Sequence, residues 1–552
     1  MDREAMTNEE NYCFDVAGYL HVPGTLTRVE VDRLNGAIAE VGQNEGMLAW
    51  PGAAREPFRD LLVHPALVWY LNQIVGQGFI LDRSPQLWSD ETCAAGAPLQ
   101  GGNEPRDPGI AYYYQNGRRF SEGVRVLWAL EDAAESGFAL VPCSHKGCVP
   151  TPDGVATGTA DMGLTYRPQL KAGDMLIVAL ATLQGMRSWR QRLLSYEFVG
   201  RGVIRSAGTG DRVQQEPRPD WHAELAEEQR ASLYTPGYAA TTPPPAIVTD
   251  GKTVAVDPSR EIFHPSFMKV DPDSGIDHEE FYFWDLNGYL VLRGVMDEEW
   301  LQAANAAVDR FADRVEVGAE LARGSQSLAG TGRPLLGGLL ELPAPYCEPF
   351  RKMVAHPAVE HRLNWMGASG GRMGGATGFV AVKGTSGHAL HDANEPLNPG
   401  RGYMYQNGRS YCEAVTVTWQ LRDVTAADGG FACVPGSHKA YYKMPPGIRT
   451  CDDDMGLVRH VEMRAGDVLF FGDGGTTHGA LAWKSEVARR GILIKYSSKN
   501  FNRSGGEMVH PENRWGAEVE GMSDAQLAVM RGPDRDVFQN NVPRLDVVDG
   551  VV

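Results

Sequence analysis

Two histidines in the second half of the chain have no counterpart at the matching positions of the first half. His391 lies in GHALHDANEP and His478 in GTTHGALAW, whereas the aligned positions hold Gln100 and Gln184. Imidazole is a common ligand of transition metals, and a neutral amide of similar size is a poor one. If His391 and His478 bind a metal, the first half lacks the residues to bind one in the same way.

The comparison is possible because the chain repeats itself. GYLHVPGTLTRVEVDRLNGAI at 18–38 matches GYLVLRGVMDEEWLQAANAAV at 288–308, and later segments match in the same order at an offset that widens from 270 to 294. This spacing is far longer than a solenoid repeat. The sequence therefore predicts a duplicated domain, with a first module at 1–240, a proline-rich linker at 241–275 and a second module at 276–552.

The elements that must position these histidines are predominantly strands. Amphipathic helices are predicted at 26–42 and 296–313, each after a short GYL strand. The runs VTVTWQLRDV, GFACVPGSH, AGDVLFF and RGILIKYS are short, rich in β-branched and aromatic residues, and broken by Asp and Gly, as strands are. We expect β-rich modules with peripheral α-helices, each a double-stranded β-helix (jelly-roll, cupin-like), whose mouth commonly carries a metal or ligand site.

Composition limits the classes of partner. The 552 residues carry a formal net charge of −18 and no Lys/Arg cluster, so we expect neither nucleic acid nor a membrane surface as a partner. The start, MDREAMTNEE, does not resemble a secretory signal, and no apolar run is long enough to span a bilayer. Eight cysteines without a CxxC pair favour reduced thiols. These features predict a cytoplasmic protein.

The order of motifs resembles the phytanoyl-CoA dioxygenase (PhyH) family of non-haem iron- and 2-oxoglutarate-dependent oxygenases. The motifs are a GYL start, a W-x-L-x-D strand, a PGSHK turn, AGD before a strand, and H-G-x-x-x-W followed by an arginine. Each motif alone is weak, and the set is specific. The resemblance implies Fe(II) and 2-oxoglutarate as cofactors, with molecular oxygen and a small molecule as substrates.

The resemblance also implies a ligand set. His391 and His478 would be two iron ligands, and a carboxylate would be the third. The family pattern H-x-D places the acid at 393, but that residue is Ala393. Asp392 is the first candidate and Glu395 the alternative, because the NEP triplet of Glu395 recurs in the first module. A regular strand would point Asp392 away from His391, so this choice requires a bend.

Cosubstrate contacts are implied in the same way. A guanidinium group matches a carboxylate, and the resemblance assigns the far end of 2-oxoglutarate to Arg489, with Arg490 as the alternative. Trp419 corresponds to an aromatic residue that walls the cosubstrate pocket in the family, and plain core is its other interpretation. His145 and His438 occur in the SHK turns of both modules, so we expect a structural role for them.

Several functions remain open. Hydroxylation of a small-molecule metabolite is the first hypothesis. The same cofactors could support halogenation, desaturation or cyclisation, because a small residue at the acid position can leave room for halide. The third hypothesis is a non-catalytic binding or scaffold protein. The first module is expected to be a pseudo-enzyme without iron that serves as a scaffold, a lid or an internal pseudo-dimer partner, or that binds a small molecule without chemistry.

Overall fold

The computed structural model describes residues 5–88, 97–102, 111–115, 118–133, 135–188, 191–200, 220–233, 276–367, 372–392, 402–406, 409–497 and 511–530. The chain divides into two compact units, Met1–Asp271 and Pro272–Val552. The predicted linker at 241–275 lies outside the described residues. None of the helices in the described ranges combines the length and apolarity needed to cross a bilayer.

The first unit consists of antiparallel strands with short helices around them. Its helices are α1 (Asn8–Ala17), α2 (Arg28–Val41), α3 (Glu56–Leu62), α4 (Pro65–Ile74), α5 (Asp153–Thr157) and α6 (Glu227–Ala231). Its strands are β1 (Tyr19–Val22), β2 (Ile80–Trp88), β3 (Tyr112–Gln115), β4 (Arg118–Ser121), β5 (Gly123–Ala129), β6 (Phe138–Val141), β7 (Met175–Ala179), β8 (Leu183–Met186) and β9 (Leu193–Val199). The main sheet has the order β1-β7-β5-β9-β2, while β3 pairs with β4 and β6 with β8.

The second unit has the same plan with more strands. Its helices are α7 (His278–Asn287), α8 (Glu298–Arg310), α9 (Glu348–Val354), α10 (Pro357–Met366), α11 (Pro446–Thr450), α12 (Pro511–Trp515) and α13 (Asp524–Met530). Its strands are β10 (Tyr289–Leu292), β11 (Glu316–Val317), β12 (Pro334–Leu336), β13 (Arg372–Ala381), β14 (His388–His391), β15 (Tyr403–Gln406), β16 (Arg409–Cys412), β17 (Ala414–Gln420), β18 (Gly430–Cys433), β19 (Arg459–His460), β20 (Val468–Gly472), β21 (His478–Leu481) and β22 (Arg489–Ser497). The large sheet has the order β10-β20-β17-β22-β13-β12-β11, the smaller sheet β14-β21-β18-β19, and β15 pairs with β16.

In each unit a buried cluster lies between the large sheet and one smaller sheet. In the second unit Tyr289 and Leu469 of the large sheet pack in one buried cluster with Phe431 and Cys433 of the smaller sheet. The first unit buries an equivalent cluster from β5, β6, β7 and β8. Apolar side chains on the inner faces of two antiparallel layers are typical of jelly-roll folds. The prediction of a β-rich fold with peripheral helices is confirmed.

The predicted helices and strands near the motifs are present, and the caps explain where two helices begin. α2 starts at a reciprocal capping box of Thr27 and Glu30, and α8 starts where Asp297 accepts from the backbone N–H of Trp300. The four predicted strand runs correspond to β17, β18, β20 and β22. The helices α1 and α7, directly before the GYL strands, were missed because their apolar residues show little helical periodicity.

The glycine of the GYL motif is required by close packing. Gly288 ends α7 with φ +72°, and a Cβ there would lie 2.6 Å from Nδ1 of His438 and against the hydroxyl of Thr476. Gly18 has φ +80° and meets His145 in the same manner. Only glycine adopts this conformation without strain and leaves room for the ring. The motif therefore fixes the SHK turn against the start of the sheet in each unit.

Candidate metal centre and its cavity

The two histidines singled out in the sequence are directly opposite each other. β14 ends at His391, β21 begins at His478, and these two residues are paired in the antiparallel ladder. Their ring centroids are 4.4 Å apart. His478 is buried, with 5% of its surface exposed, and His391 is half-buried. Residues that are distant in sequence are thus brought to one point at the edge of the smaller sheet.

Asp392 joins this pair through a bend in the backbone. Its φ is +56°, in the left-handed region, so the chain leaves the extended conformation immediately after His391. Oδ2 of Asp392 lies 3.7 Å from Nε2 of His391. Possible ligand atoms of His391, Asp392 and His478 all lie within 4.8 Å of one another. The required bend is present, while Ala393 and Glu395 lie outside the described residues.

Both rings are oriented as metal ligands are. Nδ1 of His391 is 3.1 Å from the carbonyl oxygen of Ala389, and Nδ1 of His478 is 2.7 Å from that of Thr476. A carbonyl only accepts, so each Nδ1 carries the proton and donates it. Each Nε2 then has a free lone pair, and such backbone contacts fix the tautomer of metal-binding histidines. The donor set of two imidazoles and one carboxylate suits Fe(II).

Burial favours the neutral form of these imidazoles. It lowers the pKa of both His391 and His478, although the carboxylates of Asp392 and Asp473 raise both values in part. A third histidine, His388, has its pKa lowered to about 3 by burial and by the neighbouring His391. Neutral imidazole is the form that binds metal.

Sequence reasoning missed a second carboxylate at this centre. Asp473 is 3% exposed, and its Oδ1 lies 4.0 Å from Nε2 of His478 and 3.1 Å from Nζ of Lys495. Comparison of the two halves could have found it, because the AGD strands align Asp473 with Leu180. The ammonium group of Lys495 compensates the charge of this buried carboxylate.

A cavity of about 140 Å³ opens beside the three clustered side chains. Most of its wall comes from β13, β14, β21 and β22 and from the segments that precede β14 and β21. The lining residues include Arg333, Phe379, Ala381, Ser386, His388, His391, Thr418, Asp473, His478, Arg489 and Lys495.

Arg489 reaches this cavity and Arg490 does not. Arg489 is 9% exposed, its Cζ lies 4.5 Å from the ring centroid of Phe379, and no described residue forms a hydrogen bond or ion pair with its guanidinium group. Burial, followed by the charge of Arg333, lowers its pKa to about 10. Arg490 instead contacts Asn305 at 3.2 Å and Asp309 at 2.5 Å on α8. Strand alternation separates the two arginines.

Arg333 is a second cavity arginine that sequence reasoning missed. It precedes β12, and continuing the β12–β13 register places it opposite Ala381, which is itself paired with Arg489. The small side chain of Ala381 therefore lies between two arginines on one face of the sheet. Burial lowers the pKa of Arg333, and its Nε has no hydrogen-bond partner among the described residues.

Of the two interpretations of Trp419, the structure supports the core and not the wall of the cavity. Its ring is fully buried and packs 5.2 Å from that of Trp300 and 5.5 Å from that of His356, between centroids. The preceding residue, Thr418, lines the cavity instead. Because side chains alternate along β17, Trp419 points to the opposite side of the sheet and belongs to the core.

The SHK histidines make the same contact in both units. Nε2 of His145 lies 2.9 Å from the carbonyl oxygen of Asp15, and Nε2 of His438 lies 2.9 Å from that of Asp285. Each ring thus holds the SHK turn against the helix that precedes the GYL strand. This agrees with the structural role expected for them.

The corresponding place in the first unit is filled by other side chains. Gln100 is bridged to Gln184, in the same register as His391 and His478. Arg125 donates to Oε1 of Gln184 at 3.1 Å and to Glu197 at 2.5 Å, and its Cζ lies 5.0 Å from the ring centroid of Trp88. By strand register, the counterparts of Gln184, Glu197 and Trp88 are His478, Lys495 and Phe379, which line the cavity of the second unit.

Comparison with known proteins matches residues 284–491 to the family model "Phytanoyl-CoA dioxygenase (PhyH)". No curated protein matches the chain significantly. Similar solved structures include HygX from Streptomyces hygroscopicus with nickel and 2-oxoglutarate bound, at 20% identity and a TM-score of 0.35, covering 40% of this chain and 87% of that one. The alpha ketoglutarate dependent carbocyclase SnoK from nogalamycin biosynthesis is 21% identical with a TM-score of 0.33, and the match covers 42% of this chain and 89% of that one. AviO1 from Streptomyces viridochromogenes Tue57 is 16% identical with a TM-score of 0.29, and the match covers 40% of this chain and 94% of that one.

Proposed function

Since residues 284–491 belong to the phytanoyl-CoA dioxygenase (PhyH) family of Fe(II)- and 2-oxoglutarate-dependent oxygenases, we propose that the second unit hydroxylates a small-molecule metabolite. One observation carries the proposal. His391 and His478, which cluster with Asp392, line a cavity that also receives the unpaired guanidinium group of Arg489. A metal-ligand set and a carboxylate receptor in one cavity are what a 2-oxo acid cosubstrate requires.

The three clustered side chains would hold the iron. Nε2 of His391, Nε2 of His478 and a carboxylate oxygen of Asp392 would bind one face of the ion and leave the other positions open, as in the facial triad of non-haem oxygenases. When bound, the iron would activate dioxygen, which is the oxidant: one oxygen atom would oxidise 2-oxoglutarate to succinate and carbon dioxide, and the other would be transferred to the substrate. The backbone carbonyls of Ala389 and Thr476 would keep both rings in the ligand orientation.

Arg489 would bind the distal carboxylate of 2-oxoglutarate. The guanidinium group is buried and has no carboxylate partner among the described residues, so a ligand carboxylate would compensate its charge. A planar fork with parallel N–H donors fits a carboxylate with two hydrogen bonds. Arg333, two strands away on the same face, would add to the positive potential at that end of the cavity.

Asp473 and Lys495 would support the centre without binding the metal directly. The carboxylate faces Nε2 of His478, and the lysine holds it at 3.1 Å. A fixed negative charge beside the ligand cluster stabilises a cation there, because the site is shielded from solvent. The pair would thereby increase affinity for the metal.

The first unit is proposed to be a duplicated copy that has lost this function. Gln100 and Gln184 are paired in the same register as the ligand histidines of the second unit. The guanidinium group of Arg125 donates to Gln184, at the position equivalent to His478. Arg192 contacts Asn35 as Arg490 contacts Asn305. This correspondence aligns Arg489 with Gln191. Both ligand histidines and the cosubstrate arginine are therefore replaced by neutral amides.

The test is formation of succinate by the full-length chain. Protein supplied with Fe(II), 2-oxoglutarate and oxygen should release succinate slowly even without substrate, and His391→Ala and His478→Ala should abolish this release. Gln100→Ala is the matched control, since it changes the equivalent position of the first unit and should leave the rate unchanged. Absence of succinate from wild-type protein under all metal-loading conditions would favour the non-catalytic binding or scaffold hypothesis.

The position of Asp392 favours hydroxylation over halogenation. A halide site requires an open coordination position where the carboxylate would bind, and here the carboxylate lies 3.7 Å from Nε2 of His391. Desaturation and cyclisation use the same ligand set and depend on the substrate. We therefore propose hydroxylation as the default outcome of this centre.

A further inference from the structure

Two polar side chains on the cavity wall have no part in the proposed chemistry. Ser386 and His388 lie in the segment that leads into and begins β14. Ser386 is 7% exposed, and its hydroxyl has no hydrogen-bond partner among the described residues. The ring centroid of His388 lies 4.2 Å from that of His391, and no described group forms a hydrogen bond with its imidazole. Buried hydroxyl groups normally have partners, so Ser386, with the half-buried ring of His388 two residues further along the same wall, indicates a ligand.

A β-bulge is what places His388 beside the metal centre. His388 pairs with Ala480 and His391 with His478, so a step of three residues in β14 matches a step of two in β21. In a regular strand, side chains three residues apart point to opposite faces. The extra residue re-aims the strand, as bulges commonly do next to functional sites. Both histidines consequently face the same cavity.

The backbone of this segment is hydrogen-bonded to a connection that is longer than its counterpart in the first unit. The N–H of Ser386 donates to the carbonyl of Thr331, and the N–H of Gly387 donates to that of Leu328, both at 2.8 Å. These carbonyls belong to the connection 311–347 between α8 and α9, whereas 42–55 suffice between α2 and α3. The longer connection of the second unit therefore positions the backbone of Ser386 and Gly387 at the cavity.

The two halves differ at these residues, which distinguishes them from residues that both halves share for structural reasons. Ser386, Gly387 and His388 align with Ala95, Gly96 and Ala97 of the first half. The glycine is retained, and both polar residues are replaced by alanine. Loss of the polar pair therefore accompanies loss of the metal ligands, which ties the pair to the function of the second unit.

We propose that Ser386 and His388 form a substrate subsite that binds a hydroxyl group of the small-molecule substrate and orients it next to the metal centre. The inference rests on the proposed function. A serine hydroxyl and a neutral imidazole each donate and accept hydrogen bonds, as does an alcohol. An anionic group would instead be attracted to Arg333 and Arg489. A site built to bind a hydroxyl rejects analogues without one, because its own polar groups would then lack partners.

The experiment measures binding and does not require the natural substrate. The full chain is loaded with Zn(II), which binds the same types of ligand without redox chemistry, and with 2-oxoglutarate. Saturation-transfer NMR then measures the affinity of glycerol, benzyl alcohol and methyl glucoside, with benzoate as the anionic comparison. The Ser386→Ala/His388→Ala variant reproduces the alanines of the first half. His361→Ala, an exposed histidine on α10, is the control.

The expected result is that at least one alcohol binds the wild-type protein in preference to benzoate, and that the double variant binds it about tenfold more weakly. Zinc content and 2-oxoglutarate affinity, measured in the same samples, should remain unchanged. Equal alcohol binding by both proteins, no alcohol binding by the wild type, or a loss of 2-oxoglutarate affinity in the double variant would overturn the inference. Failure of the wild-type chain to bind zinc or 2-oxoglutarate would instead overturn the proposed function.

Discussion

Removing the charge of Arg489 should weaken 2-oxoglutarate binding and leave the metal site intact. The guanidinium group is 9% exposed, lies over the ring of Phe379 and has no ion-pair partner among the described residues. Arg489→Gln keeps a polar side chain of moderate length and removes the two parallel donors. The fold should tolerate the change, because Gln191 occupies the equivalent register in the first unit.

The expected magnitude follows from the two hydrogen bonds that are lost. A hydrogen bond to a charged group contributes about 1.5 kcal/mol at the lower end of its usual range. Two of them amount to about 3 kcal/mol, which corresponds to a roughly 150-fold increase in Kd for 2-oxoglutarate. Screening by solvent is small because the group is buried.

The assay is anaerobic titration of the Fe(II)-loaded protein with 2-oxoglutarate, followed by the metal-to-ligand charge-transfer absorption. Arg490→Gln is the matched control, since that side chain contacts α8 and Asp309, which is largely exposed. It should change the affinity by less than about threefold. If Arg489→Gln binds as tightly as the wild type, or if both variants lose affinity equally, the assignment of Arg489 is refuted.

Three further predictions follow from the site and the fold. Asp392→Ala removes a proposed ligand, so the iron retained after dialysis and the rate of succinate release should each fall at least about tenfold. If the iron content and the rate both stay at wild-type values, Asp392 is not a ligand. Burial in the metal-free protein lowers the pKa of His388 to about 3, so the folded chain binds a proton on this ring less readily than the unfolded chain does. The urea midpoint of unfolding should therefore fall as the pH decreases below about 6.5. This fall should be less steep in His388→Ala. Gly288→Ala should lower the free energy of unfolding by about 1–2 kcal/mol through left-handed backbone strain and by about 1–3 kcal/mol more through crowding against His438. The control is Gly294→Ala, which has φ +59° and open space around the added Cβ, so urea unfolding should show only the strain contribution.

Elements with a strong local pattern could be predicted from the sequence. α2 and α8 have caps and an apolar stripe, and β17 and β22 are rich in β-branched, aliphatic and aromatic residues. His391 and His478 could be identified in the sequence through the family resemblance and because the first half has glutamine at both positions. Arg489 and Arg490 could not be separated in the sequence, since only strand alternation shows which one faces the cavity.

Features that depend on non-local packing could not be predicted. The bend at Asp392 is a backbone conformation that asparagine and aspartate tolerate but do not require. The β-bulge before His391 and the approach of Arg333 both arise from pairing with distant strands. The two interpretations of Trp419, cosubstrate wall and core, could not be separated, because the register of β17 relative to the cavity is not visible in its own sequence.

The most direct test of the account is the iron content of the full chain. After reconstitution with Fe(II) and removal of excess metal, the wild-type protein and Gln100→Ala should each contain one iron per chain, and His391→Ala should contain none above background. Because the two halves share a fold plan but differ at the ligand positions, this count distinguishes one site from two. Two irons per chain, or iron retained by His391→Ala, would contradict a single metal centre formed by His391, Asp392 and His478.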